Sequence, residues 1–462
     1  MEALIAISSL GLLVMLVELI GLHKLVGPVA VLGLIAALVL NFIHWNDPAQ
    51  VFYNDMFTVN RTTMAFNGII LLLAVILVLF GANYYKDEKK YWSDYLAIYI
   101  FAVTGAILMV GAHHLLMTFI GIEILSVSLY VLAGSNRRQL ESNEAGMKYF
   151  LMGSFASGIL LFGMVLLYGA TGTLHYVQLS EVLYNDEIIG KNIGFLHTGL
   201  IMVLVGFFFK VSAAPFHFWS PDVYQGSPSI VTAFMATIAK IAAMVSLYLV
   251  ITQVFPAMDH LYNILLVLVV VATICVGNIL AIVQTNFKRM LAYSGISHAG
   301  FMLLGVLTVD FNQWHVMAYY TLGYGVANLV AFGVAMPVFK SMNSEGLSAF
   351  NGLFFKRPLL AVILTLAMLS MASIPPFAGF WAKYYVLTAA LGKHYLLLVI
   401  IAILNTVLSI YFYFRVFVAM YSRKADNIAI QISTPYKVLL ILITLLLLTI
   451  SALPDLFGRL AL

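Results

Sequence analysis

Val205-Gly-Phe-Phe-Phe-Lys-Val-Ser-Ala-Ala-Pro-Phe-His-Phe-Trp219 is apolar enough to cross a membrane, yet it contains a lysine, Lys210, and a proline, Pro215. A cation and a helix breaker are both costly inside a bilayer. Ionisable residues within membrane segments are rare, and they mark functional sites by default. A broken helix is tolerated where its freed backbone groups face protein or a water-filled cavity. This stretch therefore predicts a membrane protein whose function depends on a charge inside the bilayer.

The composition supports a polytopic membrane protein. The chain has 462 residues, of which 63% are hydrophobic and 9% charged, whereas soluble proteins carry about 25% charged residues. The net charge of +4 gives no indication of a nucleic-acid partner. The single cysteine, Cys275, excludes an internal disulfide and an iron–sulfur cluster held by this chain's cysteines alone. The sequence also lacks an HExxH zinc motif, a phosphate-binding loop and a dinucleotide fingerprint.

Because about 20 apolar residues are needed to cross the hydrocarbon core, we predict an all-α fold with about fourteen transmembrane helices. The predicted spans are 2–22, 26–44, 63–84, 93–111, 113–134, 145–170, 196–214, 228–253, 260–284, 288–308, 314–340, 358–391, 394–421 and 435–455. The first twenty residues are expected to form a span rather than a signal peptide, since they lack a basic start and a clear cleavage site. The longest segment outside the membrane, 171–195, is too short for a folded domain. The helix of the seventh span is expected to break at Pro215, and that of the twelfth span at Pro375 and Pro376.

The distribution of basic residues predicts the orientation. Loops after odd-numbered spans hold fourteen of the 23 lysines and arginines. These are Lys24, Lys86, Lys89, Lys90, Arg137, Arg138, Lys288, Arg289, Lys340, Lys356, Arg357, Arg423, Lys424 and Lys437. Loops after even-numbered spans and the C-terminus hold four, namely Arg61, Lys191, Lys393 and Arg459. The odd-numbered loops are therefore predicted to be cytoplasmic, with both termini outside, and five basic residues (23 − 14 − 4) remain within or beside the spans: Lys148, Lys210, Lys240, Lys383 and Arg415.

Internal sequence similarity suggests inverted repeats. Ala214-Pro-Phe-His-Phe-Trp219 in the seventh span resembles Pro375-Pro-Phe-Ala-Gly-Phe-Trp381 in the twelfth, which runs in the opposite direction. Interrupted helices at corresponding places point to inverted repeats around an ion path. We predict five-helix repeats of spans 4–8 and 9–13. The corresponding segments are 1–92 for the first three helices, 93–255 and 256–421 for the repeats, and 422–462 for the last helix.

Two ionisable residues are predicted to form a pair at membrane depth. Glu123 lies near the middle of the fifth span, where no neighbour in the same span can neutralise it. Lys210 is the natural partner from another helix. Burial favours the neutral form of each group and an opposite charge favours the ionised form, so a third charge can switch the pair. The alternative is a static ion pair that fixes helix positions, although buried pairs are poor stabilisers compared with apolar packing.

Three further ionisable residues lie within other spans and extend this pair to a series. Lys240 lies mid-span among small residues, where its side chain cannot easily reach the interface. Lys383 follows the second break; its alternative role is a lysine that extends to the membrane surface. His298 is central in the tenth span and titrates near neutral pH, with Ser294 and Ser297 as candidate hydrogen-bond partners. It is equally compatible with a packing role. One acid against three lysines favours protons over a sodium site, and nothing in this chain carries electrons.

Other charged residues carry weaker signals. Glu144 and Lys148 are four residues apart, which fits an ordinary helix pair somewhat better than a charged link towards the inner face. Glu18 and Arg415 are expected at helix ends or subunit contacts, and Asp222 in a loop after Pro221. The aromatic residues, 13% of the chain, are expected mostly at lipid-facing and interfacial positions, with no quinone site.

Four runs of sequence resemble the antiporter-like membrane subunits of respiratory complex I, the NADH–quinone oxidoreductase. They are Glu144-Ala-Gly-Met-Lys-Tyr-Phe150, Lys210-Val-Ser-Ala-Ala-Pro-Phe-His217, Asn278-Ile-Leu-Ala-Ile-Val-Gln-Thr-Asn-Phe-Lys-Arg-Met-Leu-Ala-Tyr-Ser294 and Met368-Leu-Ser-Met-Ala-Ser-Ile-Pro-Pro-Phe-Ala-Gly-Phe380. The resemblance covers nearly the whole chain. It implies fourteen helices with two inverted five-helix repeats in a bacterial inner membrane.

The resemblance also implies roles for individual residues. Glu123 and Lys210 match the family's coupling pair, Lys240 matches its central relay lysine, and Lys383 matches the lysine of the second half-channel. The sister subunit M usually has a glutamate at that last position, so Lys383 argues against that subunit. The implied partners are subunit M, the small subunits K and J, the lateral helix of subunit L and the lipid bilayer. Flavin mononucleotide, iron–sulfur clusters and quinone belong to partner subunits, and none is expected here.

Three functions remain open from the sequence. The first is proton translocation as a non-redox subunit of an NADH–quinone oxidoreductase, with Glu123, Lys210, Lys240, His298 and Lys383 as the relay. The second is a subunit of a stand-alone cation/proton antiporter. The third is a structural spacer whose charges only lock helices together. Co-purifying subunits distinguish the first two, and neutralising Glu123 distinguishes the third.

Overall fold

The computed structural model describes residues 1–86, 89–184, 186–256, 259–422 and 430–455, with the side chains of 89–91, 186–192, 259–261 and 422 left out of the description. Some basic residues of the orientation argument are therefore outside the described residues or side chains: Lys89, Lys90, Lys191, Arg423, Lys424 and Arg459. The C-terminal end at 456–462, predicted to face outwards, is also outside the description.

Long apolar helices dominate the described part of the chain. The first half contains α1 (Glu2–Leu19), α2 (His23–Ile43), α3 (Arg61–Tyr84), α4 (Lys89–Gly111), α5 (Leu115–Ala133), α6 (Leu140–Thr171), the short α7 (Tyr176–Leu183), α8 (Asp186–Val211) and the short α9 (Trp219–Gly226). A single span then combines α10 (Ser229–Phe234), a π-helix at Met235–Ala239 and α11 (Lys240–Val254). The second half contains α12 (Asp259–Ile282), α13 (Phe287–Thr308), α14 (Trp314–Met342), α15 (Leu353–Lys356), α16 (Pro358–Met371), α17 (Ala378–Gly392), α18 (Leu396–Ser422) and α19 (Thr434–Ala452).

These helices confirm the predicted all-α membrane fold. Within the described residues, thirteen segments are long and apolar enough to cross a membrane. The remaining predicted span, 358–391, is divided between α16 and α17. The helix boundaries agree closely with the predicted spans because each span is a continuous apolar run ended by polar or turn residues.

The most buried spans lie at the centre of the bundle. Helices α3, α13 and α14 and the span 229–254 are almost entirely buried by other helices, whereas α1, α2, α6, α18 and α19 expose much of their surface. An exposed apolar surface suits lipid or a partner helix. A central helix, in contrast, can carry polar side chains that face other protein groups. The bundle therefore places its ionisable residues away from lipid.

The two predicted breaks have the same backbone geometry. Ser212 and Ser373 both adopt positive φ angles, 61° and 59°, which is uncommon for residues other than glycine. Each precedes by three residues a proline with a cis peptide bond, Pro215 or Pro376. In both breaks the amide after the serine donates to the carbonyl five residues earlier, at 2.8 and 3.1 Å. The two breaks are thus similar in backbone conformation as well as in sequence. The five-helix repeats stay a prediction.

The structure adds a small junction between loops that the sequence analysis missed. A hairpin of β1 (Gln50–Phe52) and β2 (Phe57–Val59) follows α2. The His113 amide donates to the Met56 carbonyl at 2.8 Å, and the Tyr176 amide donates to the His113 carbonyl at 3.1 Å. The hairpin thereby joins the loops after α4 and α6. All three connections follow even-numbered spans, in agreement with their predicted location on one face.

We expect this junction to weaken at acidic pH. Burial lowers the pKa of His113, and His175 lowers it further, with their rings 5.1 Å apart. His114 and the Asp55 side chain are the other titratable groups at the junction, and Asp55 opposes the shift. The unfolded pKa is about 6.5. Protonation therefore costs more in the folded junction, whose stability is present above that pH and falls as pH drops towards the lowered pKa.

Hydrogen exchange of the amides in 50–59 and 112–116, corrected for the intrinsic effect of pH, measures this change. Protection should decrease between about pH 6.5 and 5 in the natural chain, and His113→Gln should reduce the dependence. An equal pH dependence in the variant would contradict the assignment to His113.

Candidate functional site

The five predicted relay residues lie on five different helices of the bundle. Glu123 is on α5, Lys210 on α8, Lys240 at the start of α11, His298 on α13 and Lys383 on α17. The exposed fractions of Lys240, His298 and Lys383 are only 2%, 5% and 4%. Because an unpaired charge is costly in such surroundings, the partners of each group decide what it can do.

Three hydroxyl groups surround the ammonium of Lys210. Its Nζ donates to Ser126 Oγ at 2.8 Å, Ser157 Oγ at 3.2 Å and Tyr130 OH at 3.4 Å. The ion pairs formed within the described part of the chain do not include Lys210. Glu123 lies within electrostatic range, one helical turn before Ser126. The predicted pair therefore interacts at electrostatic range without a direct ion pair among the described residues, and Glu123 Oε1 has no hydrogen-bond partner there.

Lys240 follows the π-helix Met235–Ala239. Such segments are rare and frequently occur at functional sites. Its Nζ has no hydrogen-bond partner among the described residues. The nitrogen lies 6.0 Å from the centre of the Tyr224 ring, and a side chain at Gly295 would bring Cβ within 2.9 Å of Nζ and 3.1 Å of Tyr324 OH. Glycine thus leaves the space in which the lysine and the tyrosine hydroxyl approach each other.

His298 is hydrogen-bonded at both ring nitrogens. Nδ1 pairs with Tyr320 OH at 2.9 Å and Nε2 with Tyr413 OH at 3.4 Å. The Tyr413 hydroxyl also contacts Ser294 Oγ. The sequence analysis expected Ser294 and Ser297 to be direct partners, but the tyrosines come from α14 and α18, so they could not be identified from positions near His298. A histidine between two hydroxyls can accept a proton on one side and release one on the other.

His298 also lies between two of the lysines. It is within electrostatic range of both Lys383 and Lys240. Gly295, which adjoins the Lys240 ammonium, precedes His298 by one helical turn. The structure therefore groups Lys240 and Lys383 around His298 of α13, each within electrostatic range of this histidine.

Lys383 points into the bundle from the first half of α17. Its Nζ donates to Thr406 Oγ1 at 3.4 Å and lies 4.0 Å from the centre of the Phe301 ring, a close cation–π contact. The side chain is buried, so the alternative of a lysine that extends to the membrane surface is wrong. As with Lys210, neutral groups rather than a carboxylate surround the charge.

The aromatic residues are more central than the sequence analysis predicted. Many aromatic side chains do face outwards, but a set of tyrosines is buried beside the relay residues: Tyr130, Tyr149, Tyr224, Tyr320, Tyr324 and Tyr413. Hydropathy does not separate a tyrosine at the lipid interface from one in the core. Helical spacing is the signal that identifies some of them, because Ser126 and Tyr130 follow Glu123 by three and seven residues on one helix face.

A chain of aromatic contacts links the two halves of the site. The Tyr149 ring lies 4.8 Å from that of Tyr130 and stacks on Trp219 at 4.5 Å. The Trp219 ring lies 6.4 Å from that of Tyr224, which faces Lys240. This chain extends from the hydroxyls around Lys210 to the surroundings of Lys240.

The structure places Asp222 in α9, so the expectation that it lies in a loop is wrong. Lys148 Nζ contacts Glu144 at 2.7 Å, as in an ordinary helix pair, and also donates to Asp222 Oδ2 at 3.1 Å. Arg289 donates to Asp222 Oδ1 at 2.5 Å and to Gln225 Oε1 at 3.2 Å. The local pair is thus part of a wider link between α6, α9 and α13.

Lys288 is a buried residue of α13, although the sequence analysis assigned it to a loop. It is 2% exposed, pairs with Glu345 at 2.6 Å and donates to the Ser227 carbonyl at 2.8 Å.

The helix-end expectations agree with the structure for Arg415, which donates to the Ile282 carbonyl at the end of α12. Glu18 pairs with His23 at 3.0 Å across the turn between α1 and α2.

Among the described residues, no group of three His, Cys, Asp or Glu side chains has the arrangement to hold a metal ion. What the site does contain is a series of exchangeable protons on lysine, histidine, tyrosine and serine groups. Its arrangement therefore suits proton transfer between neighbouring side chains.

Two buried lysines should respond oppositely to replacement by methionine. Lys240→Met removes a buried charge without a partner among the described residues, so the unfolding temperature of the purified chain should stay the same or rise. Lys288→Met leaves Glu345 and the Ser227 carbonyl without their donor, and should destabilise the chain by roughly 1–3 kcal/mol. Thermal unfolding in detergent measures both. Equal losses in the two variants would mean that Lys240 also stabilises the fold.

Comparisons with known proteins agree with this fold. Residues 112–409 match the family described as NADH:quinone oxidoreductase/Mrp antiporter, transmembrane. The chain is 41% identical over 455 residues to NADH-quinone oxidoreductase subunit N of Flavobacterium psychrophilum, with 98% of this chain and 99% of that protein covered. It is 43% identical over 434 residues to subunit N of Flavobacterium johnsoniae, with 92% of each chain covered.

A solved structure shows the same architecture. A chain of the respiratory complex I from Thermus thermophilus with bound aureothin superposes with a TM-score of 0.83 at 30% identity, with 98% of each chain covered. The predicted resemblance is confirmed over nearly the full length, and the identity of the relatives agrees with the argument from Lys383 against subunit M. The chain belongs to the subunit N family of NADH–quinone oxidoreductases.

Proposed function

We propose that this chain translocates protons for an NADH–quinone oxidoreductase through a relay of Glu123, Lys210, Lys240, His298 and Lys383. The observation that carries the proposal is the position of His298 within electrostatic range of Lys240 and Lys383, with a tyrosine hydroxyl at each ring nitrogen. A static packing histidine needs no such neighbours. A proton relay needs groups that exchange protons on both sides.

The first step is an electrostatic change at Glu123 and Lys210. Quinone chemistry in other subunits alters the charge near Glu123, and this change acts electrostatically on Lys210. Among the described residues, the ammonium of Lys210 is hydrogen-bonded to neutral hydroxyls, so loss of the nearby negative charge favours its deprotonation. In this scheme a proton leaves Lys210 when the pair is disturbed and returns when the pair is restored.

The later steps follow the buried polar groups towards Lys383. Lys240 exchanges a proton with the Tyr324 and His298 region, and His298 passes it towards Lys383. Helix α17 continues from Lys383 to the loop at Lys393, which follows an even-numbered span and faces outwards in the predicted orientation. One proton leaves on that side. Glu144 and Lys148 have a secondary role at the inner end.

The proposed assembly follows from the family. The chain is a non-redox translocase subunit in the bacterial inner membrane, with both termini on the outer side. Its direct partners are subunit M, the small subunits K and J and the lateral helix of subunit L. Flavin mononucleotide, iron–sulfur clusters and quinone are held by partner subunits. Within the chain, 93–255 and 256–421 form the two inverted repeats, flanked by 1–92 and 422–462.

Lys210→Ala in the intact complex tests the relay. We expect the rate of proton translocation through this chain to fall at least about ten-fold, because a positioned proton-transfer group contributes on that order or more, so the complex should translocate fewer protons per electron. Reconstituted vesicles with NADH, a quinone and a pH-sensitive dye report protons and electrons together. Lys393→Ala is the matched control, since this lysine pairs with Asp310 at 2.5 Å and both side chains are well exposed.

Full pumping per electron in Lys210→Ala would overturn the proposed role of this lysine. Normal pumping after Glu123→Gln in a fully assembled complex would instead support the structural spacer. Purification without flavin- and cluster-bearing subunits would support the stand-alone antiporter.

Tyr320→Phe tests the tyrosine contacts of His298. The change removes one hydroxyl and keeps the ring. Loss of one hydrogen bond costs about 0.5–1.5 kcal/mol, so proton translocation should slow roughly two- to ten-fold. Tyr395→Phe, which removes a hydroxyl that accepts from Asn263, is the control at a position away from the relay. Equal rates for both variants would exclude Tyr320 from the path.

A further inference from the structure

Helix α9 contacts the surroundings of both Lys210 and Lys240. Its first residue, Trp219, donates through Nε1 to the Phe209 carbonyl at 3.0 Å, immediately before Lys210. Its sixth residue, Tyr224, presents its ring to the Lys240 ammonium at 6.0 Å. Any tilt or shift of this eight-residue helix therefore changes both surroundings at once.

The break leaves α9 dependent on its neighbours for position. Residues 212–218 separate it from α8, so it is not a rigid continuation of a long helix. One side of α9 packs directly on α6, where a side chain at Gly226 would collide with the Glu141 carbonyl and approach Ala145 Cβ to 2.8 Å. This close backbone contact leaves little room for movement towards α6.

Asp222 joins the two helices that flank α9. Its Oδ2 accepts from Lys148 on α6 at 3.1 Å, and its Oδ1 accepts from Arg289 on α13 at 2.5 Å. Arg289 reaches the next turn of α9 through Gln225 at 3.2 Å. The carboxylate of Asp222 thus links α9 to both α6 and α13.

Lys288, beside Arg289, donates to the Ser227 carbonyl immediately after α9 at 2.8 Å. Two consecutive basic residues of α13 therefore hold the middle and the end of α9. This arrangement connects the first half of the chain, which contains α6 and α9, to the second half, which contains α13 and His298.

We propose that Asp222 is a positioning residue that sets α9, and through it the surroundings of Lys210 and Lys240, in the register required for coupled proton transfer. This inference rests on the proposed function. The bridge between α6 and α13 keeps Trp219 on the Phe209 carbonyl and Tyr224 over Lys240. Loss of the bridge frees α9 to shift, and the two lysines no longer change protonation state together.

The ion pairs of Asp222 contribute little to folding, which makes the proposal testable. The side chains of Asp222, Lys148 and Arg289 are 39%, 42% and 30% exposed. Exposed ion pairs add little stability, and Lys148 retains Glu144 when Asp222 is neutralised. Replacement of Asp222 should therefore leave the assembled complex intact.

The experiment compares Asp222→Asn, Asp222→Glu and Gly226→Ala in the intact complex. Asp222→Asn should slow proton translocation through this chain roughly ten-fold, because small displacements of reacting groups change rates by that order or more, and should thereby lower the protons translocated per electron. Asp222→Glu keeps the carboxylate and should recover most of the ratio. Gly226→Ala retains every charge but displaces α9 from α6, so it should also lower the ratio. Asp310→Asn, a carboxylate paired with Lys393 on the opposite face, should have no effect.

Two results would overturn this proposal. One is a normal ratio in Asp222→Asn while Lys210→Ala is defective, which leaves the relay in place and removes the role of Asp222. The other is loss of assembled complex in proportion to the loss of pumping, measured by native gel, which would make the contact structural. A defect in Asp222→Asn with recovery in Asp222→Glu at constant assembly supports positioning. A normal ratio in Lys210→Ala would count against the proposed function itself.

Discussion

The cost of placing a positive charge inside a helix bundle governs this structure. A buried ammonium requires an opposite charge or hydrogen-bond acceptors, and without them its neutral form is favoured. The chain meets this requirement at Lys288, Lys210 and Lys383, but not at Lys240 within the described residues. Lys288 pairs with the carboxylate of Glu345. Lys210 and Lys383 contact only hydroxyls and aromatic rings, and Lys240 has no hydrogen-bond partner among the described residues.

This difference separates structural from functional lysines. A direct carboxylate partner stabilises the ammonium, so Lys288 is suited to holding helices in place. A lysine surrounded by neutral groups lacks a direct partner that fixes its charge. A modest change in nearby charge can then move a proton. The contacts of each lysine, rather than how deeply it is buried in the helix bundle, therefore indicate its role.

The sequence predicts the helices well because hydropathy and length depend on local composition. It also predicts both breaks, since proline within a span removes a backbone hydrogen bond and can interrupt the helix, although Pro28 and Pro337 lie inside continuous helices. It identifies Glu123 and Lys240 because charge is conspicuous in an apolar run. It does not identify Tyr320 as a partner of His298, because that contact depends on how α14 packs against α13. Its placement of Lys288 in a loop failed for the same reason, since burial depends on residues distant in sequence.

Asp222 shows how a weak sequence signal gains meaning from packing. A single acidic residue after a proline suggests a loop, and nothing adjacent marks it as a bridge. In the fold, the same residue lies between α6 and α13 because the break turns α9 into a separate short helix. A continuous helix would hold its two halves in fixed register and would need no such bridge. The break that permits Lys210 to lie beside a helix end also creates the requirement for charges that position the short helix α9 after it.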